Sequence, residues 1–167
     1  MTNEPSKALL AGQTVLLEET GRGKYQVQAT VGTTTFLVDE AIAVDGLGSG
    51  PNPYDLLSVA LGSCTLMTVR LYADRKQWKL RHVRVKVTHH RPSLQARDIF
   101  TREIAMEGEL DAAQKARMLE IAERCPVHLT LSRGSDVLTV MAPGGGGPPP
   151  PEDEHVKCMQ EACSDQA

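Results

Sequence analysis

Four cysteines are the residues of this 167-residue chain whose types best suit chemistry, and they are of two kinds. Cys64 lies within GPNPYDLLSVALGSCTLMT and Cys125 within RCPVHLTL, both apolar, helix-like contexts. Cys158 and Cys163 lie in a polar tail, EDEHVKCMQEACSDQA. A thiol on an apolar helix reads in two ways: as a small hydrophobe filling a core, or as a nucleophilic redox group. The second reading needs help. Burial alone raises a thiol's pKa and suppresses the thiolate, whereas a fixed guanidinium nearby lowers it. Arg22, in the turn TGRG, reads by itself as a solvated surface residue. Asp55 reads by itself as a first-turn acid satisfying the helix dipole. His128, three residues after Cys125, would tune that thiol or hydrogen-bond at a sheet edge, the latter being the expectation. His89 and His90 end a strand and are expected to face solvent. The tail spacing H-x2-C-x4-C gives three ligands where a closed zinc site takes four, so no metal is expected there. Gly46, Gly48 and Gly50 precede a helix without a βαβ unit, so no nucleotide cofactor is expected.

The elements that must position these residues follow from periodicity. QTVLLEE reads as a strand, and KYQVQATV with TTTFLVDE as a hairpin punctuated by Gly32. DGLGSGPNP is loop by composition. From Tyr54 to about Lys76 the pattern is helical, with Pro53 at or before the first turn. Apolar residues spread round most of that helix, which predicts burial on most sides. LRHVRVKVTHH and IFTREIAMEGEL are alternating strands. Asp111 caps AAQKARMLEIAER, with Met118, Leu119, Ile121 and Ala122 inward, and Pro126 stops that helix. A last strand or hairpin is expected over VHLTLSRGSDVLTVM. GGGGPPPP is a linker, and the remaining polar segment is expected to be disordered. The reading is one α+β domain over residues 1–142, two mainly antiparallel sheets around a buried central helix, followed by a linker and tail over 143–167.

Composition narrows the function classes. With 21 acidic and 18 basic residues the net charge is -3, so no basic field draws nucleic acid, and 4% aromatics argues against base stacking. No uncharged apolar run reaches the roughly 18 residues of a membrane span, and the N-terminal stretch lacks a signal-peptide pattern. A cytoplasmic protein is expected, where a lasting structural disulfide does not form but a transient catalytic one does.

In GPNPYDLLSVALGSCTLMT and RCPVHLTL, occurring in this order with a strand pair between, the chain resembles the OsmC/Ohr family of thiol peroxidases over roughly residues 20 to 141. The resemblance implies an intertwined homodimer and reduction of organic hydroperoxides. In that scheme Cys64 is the nucleophile, Cys125 the resolving thiol, Arg22 the activating cation and Asp55 the orienting acid. It implies a dihydrolipoyl group or another thiol as reductant. Where family members carry a glutamate, ten residues before the first cysteine, this sequence has Tyr54. The rival expectation is a non-enzymatic small-molecule binder or redox sensor on the same fold.

Overall fold

The computed structural model describes residues 14–139, 141 and 154–164, and the chain divides into two compact units. The first reaches Pro53 and takes in residues 136–154. The second holds Tyr54–Ser135 and His155–Ala167.

In the first unit, β1 (Val15–Glu19), β2 (Val27–Val31) and β3 (Thr34–Val38) form an antiparallel meander in that order. Val31 pairs with Thr34, so Gly32 and Thr33 make the expected tight turn. Beyond β3 the chain makes a short 3-10 turn, Ile42–Val44, and returns through residues 45–53 as loop. That loop is tied to Asp39, which is 2% exposed. Its carboxylate accepts from the backbone N–H groups of Glu40 (2.8 Å), Leu47 (3.0 Å) and Ser49 (3.2 Å) and from the Ser49 hydroxyl (2.7 Å). Burial pushes the Asp39 carboxyl up, but the Ser49 hydroxyl and the three backbone donors outweigh it, and the net shift is downward.

In the second unit, α1 (Pro53–Arg75) packs on a two-stranded antiparallel sheet, β4 (Lys79–His90) with β5 (Ile99–Glu109), and on α2 (Ala112–Ala122). The core joins Val69, Tyr72 and Ala73 of α1, Leu80 and Val83 of β4, and Met118, Ile121 and Ala122 of α2. Each large apolar side chain so buried contributes about 1.5–3 kcal/mol. Asp111 caps α2 as the sequence predicts, in a reciprocal capping box with Gln114. Among the described residues, two antiparallel sheets and four helices make the α+β class expected from the sequence.

The structure departs from the sequence reading at five places. Leu61, Cys64, Thr65, Thr68, Val69, Tyr72 and Ala73 of α1 are buried as a stripe repeating every three to four residues, while Leu57, Val59 and Met67 stay exposed. The helix is therefore covered on one side within this chain rather than on most. By length and composition alone it could cross a membrane, but its inner stripe is occupied by the protein's own core. Leu119 is 49% exposed, because α2 turns it away from α1. His89 does not face solvent: it stacks on Tyr54 with ring centroids 4.3 Å apart and packs on Phe100 at 4.8 Å.

VHLTL is helical, not a strand: α3 spans Pro126–Arg133. Pro126 does stop α2, but it also opens the next helix at a position where its missing N–H costs nothing. Residues 134–139 have no regular structure. Finally, part of the tail is ordered. A fourth helix, α4 (Glu154–Ala162), leads Cys163 into the core cluster, where it is 4% exposed. Met159 and Cys163, four apart, share the inner side of that segment, a spacing that a polar composition concealed. The Gly/Pro linker lies outside the described residues.

Candidate active site

Cys64 sits at the middle of α1 on its buried stripe, one turn after Leu61 and one turn before Thr68. Cys125 sits between two helices: α2 ends at Ala122, and Cys125 is the residue from which α3 starts, its carbonyl accepting from the Leu129 N–H at 3.1 Å. Though 61 residues apart in sequence, the two sulfurs lie 2.7 Å apart, both cysteines being free and 1% or less exposed. That is longer than the ~2.05 Å of a disulfide bond, so two thiols share one contact.

The surroundings act on the two sulfurs in opposite directions. Cys125 stands at a helix start, where the backbone N–H groups of His128 and Val127 point at its sulfur and favour a negative charge. The hydrogen bond from Cys64 comes first among the influences, burial opposes it, and the His128 N–H, the Thr65 hydroxyl and the Val127 N–H follow; together they lower the Cys125 thiol to about 6. Cys64 moves the other way: holding the shared hydrogen against Cys125, and buried, it is pushed up. The surroundings thus push the two thiols in opposite directions, Cys125 downward and Cys64 upward.

Around this pair lies a guanidinium that the sequence reading did not single out. Arg102 projects from the middle of β5 with its side chain 8% exposed. Its Nη1 donates to Thr65 Oγ1 (2.8 Å) and to the Ala122 carbonyl (3.0 Å); its Nη2 donates to Glu123 Oε1 (2.8 Å) and meets His128 Nδ1 (2.9 Å). The signal was present in the strand pattern. Phe100, Arg102, Ile104 and Met106 occupy the same, less exposed phase of β5, so one charged residue stands among three apolar ones. His128 lies on α3, not at a sheet edge. A cavity of about 750 Å³ opens beside Arg102, walled by Leu61, Ile104, Leu119 and Leu131, with Glu123 and His128 among its polar groups.

The other two expected site residues are placed differently. Arg22 is an exposed turn residue of the first unit, its backbone N–H donating to Thr20 Oγ1 at 3.3 Å. Asp55 is exposed in the first turn of α1, nine residues from Cys64 and therefore roughly 13 Å along the helix axis. At the neighbouring Tyr54, the hydroxyl accepts from Arg91, which also makes a two-pronged pair with Asp98 (2.8 and 2.7 Å). Hydrogen bonds from Arg91 and then His89 hold the Asp98 carboxyl down to about 2. Among the described residues no group of three His, Cys, Asp or Glu side chains could hold a metal ion.

An α+β protein with a buried dithiol, one sulfur on a long core helix and the other at a helix start, is the class that fold and site define. The family model described as OsmC-like protein matches residues 46–140, more than half of the sequence, and the chain belongs to that family. Solved structures agree on the fold. An osmotic stress induced and detoxification response protein from Psychrobacter arcticus is 21% identical, with a TM-score of 0.63 over 72% of this chain and 88% of that one. The OsmC-like protein of Mycoplasma pneumoniae is 17% identical, with a TM-score of 0.62 over 73% and 88%. The organic hydroperoxide resistance protein OsmC of Legionella pneumophila is 19% identical, with a TM-score of 0.52 over 73% and 90%. No curated protein matches the sequence.

Proposed function

We propose that this chain is a thiol-dependent peroxidase that reduces organic hydroperoxides through Cys64 and Cys125. The observation that carries this reading is the 2.7 Å contact between two buried, free sulfurs. A pair that close shares a proton, presents a thiolate at neutral pH and needs little motion to close a disulfide. The name of the Legionella relative, an organic hydroperoxide resistance protein, points the same way.

The chemistry balances on this pair. Cys64 passes its proton across the contact to Cys125 and attacks the distal peroxide oxygen. The O–O bond breaks, Cys64 becomes a sulfenic acid, and the leaving alkoxide takes the proton from Cys125 to give the alcohol. The Cys125 thiolate then attacks the Cys64 sulfur, forming the disulfide and expelling hydroxide, which water chemistry neutralises. An external dithiol of the dihydrolipoyl type, becoming a disulfide itself, returns both cysteines to thiols. A second copy of the chain would cover the exposed Leu57, Val59 and Met67 of α1, and a reducing cytoplasm would suit a cycle that begins from two thiols.

The test is stoichiometric. The reduced protein is mixed with an organic hydroperoxide, quenched, denatured and its free thiols counted, with the bridge mapped by peptide mass. The expected result is loss of two thiols per chain, one alcohol formed per pair, and a Cys64–Cys125 bridge absent from Cys64→Ser. Unchanged thiols would sink the reading. The roughly 750 Å³ cavity then favours the rival, a binder of small molecules without turnover.

A further inference from the structure

We propose that the groove between α3 and α4 binds a small peptide-type thiol bearing carboxylates and an ammonium group, and that Cys158 captures it from its disulfide form as a mixed disulfide. The inference stands apart from the hydroperoxide reading. It concerns a thiol of the tail that the Cys64–Cys125 cycle does not use.

The groove is built from two helix faces of the second unit. On α4, Cys158, Glu161 and Ala162 stand three and four residues apart and share one side. Cys163 follows Cys158 by five residues, about 140° further round the helix, and points into the core instead. Its thiol donates to the Thr68 carbonyl at 3.7 Å, and the Arg75 guanidinium donates to the Gln160 carbonyl at 3.3 Å. Both fastenings run to α1, so α4 is held from behind while Cys158 stays exposed. On α3, Pro126, Leu129 and Arg133 likewise follow one another at three and four residues. Between these faces lies a cavity of about 490 Å³, a size that small ligands fill.

Its charges select the ligand. Arg124, partly buried in the turn between α2 and α3, and Arg133, in the last turn of α3, both line the cavity. Among the described residues neither guanidinium makes a side-chain hydrogen bond or ion pair. A partly buried cation without an acceptor is costly, and the guanidinium fork matches a carboxylate. Glu161, the remaining charged group of the lining, offers an acceptor to an ammonium. Two cations, one carboxylate and an accessible sulfur thus complement an amino-acid-derived disulfide, with Pro126 and Leu129 against its apolar stem. The exchange balances. The Cys158 thiolate attacks one sulfur of the disulfide, the S–S bond breaks, and a mixed disulfide forms. The other half leaves as a thiol, taking up the proton that Cys158 lost. Arg124 and Pro126 flank Cys125 in the chain, so the occupant rests against the turn that carries that buried sulfur.

The probe is glutathione disulfide, set against the uncharged 2-hydroxyethyl disulfide. Each is added to the reduced full-length protein, the reaction is stopped with acid, and modification of Cys158 is followed by peptide mass. Glutathione disulfide is expected to modify Cys158 in the parent. Combining Arg124→Gln with Arg133→Gln is expected to slow that reaction about tenfold while leaving the rate with 2-hydroxyethyl disulfide as in the parent. Absence of glutathione from Cys158 overturns the proposal, as does a rate with glutathione disulfide that the double variant leaves unchanged. An equal fall with both disulfides overturns it too, because the arginines would then shape the helix packing rather than hold a ligand. Where the double variant does not fold, Arg133→Gln, at an exposed position, decides by the same comparison, with about a threefold slowing expected. No hydroperoxide enters this reaction, so its outcome is separable from that of the thiol count.

Discussion

Two buried polar centres, one in each unit, make opposite use of the same physics. In the first unit Asp39 is 2% exposed, and four donors converge on its two oxygens. Nothing about its protonation is ambiguous: the carboxylate is held charged, and its work is to anchor the loop that returns from β3. In the second unit Cys64 and Cys125 are buried as deeply, yet two sulfurs compete for one hydrogen. One turn beyond Cys64 the buried Thr68 hydroxyl faces the Cys64 sulfur. The comparison teaches that burial alone does not distinguish structure from chemistry. A buried group whose oxygens are all met by donors is fixed, whereas two buried sulfurs in contact whose pKa values are pushed apart are poised to react.

The sharpest way to break this contrast is to disturb the Asp39 loop. A Cβ on Gly46 would lie 1.9 Å from the Glu40 carbonyl oxygen, a backbone atom that cannot yield cheaply. Gly46→Ala should therefore lower stability by about 1–3 kcal/mol or more in denaturant unfolding. The folded fraction should still lose two thiols to hydroperoxide. If the oxidation fails in molecules that remain folded, the anchor is not merely structural.

Acid offers a finer separation. Because the Cys125 pKa is lowered to about 6, the pair's thiolate should persist at neutral pH and disappear as pH falls through 6, by absorbance titration. The Asp39 pKa is lowered below 3.8, so its stabilisation is present above that value and lost only as pH drops further. Between pH 6 and 4 the protein should keep its fold while losing its thiolate. In Asp39→Asn, melting temperatures should fall less steeply below pH 4 than in the parent.

The smallest expected effect concerns the tail. Cys163 contributes a buried sulfur to the core of the second unit, where burial pushes its thiol up. Cys163→Ala should cost roughly 1 kcal/mol without altering the Cys64–Cys125 bridge. A change in the bridge itself would place this third thiol within the redox site.

Much of the architecture was legible in the residues. Alternation marked β4 and β5, and Asp111 with Gln114 marked the start of α2. The prolines and the apolar period marked α1. The α3 segment was not legible, because Val127, Leu129 and Leu131 alternate as a strand would. What overrides that local preference is the arrangement in which Pro126 opens a helix and Cys125 becomes its first carbonyl acceptor. Arg102 was half legible: its phase on β5 marked it as inward, but nothing in the chain says which acceptors await it there.

The sequence by itself determined that two thiols sit in apolar helical surroundings, since side-chain period and composition are local properties carried by neighbouring residues. Only the tertiary structure decided that these sulfurs meet and that a buried guanidinium from β5 lies near them. Those depend on distances between segments far apart along the chain, and electrostatic and hydrogen-bond energies change over a few ångströms, a scale that no spacing in sequence encodes.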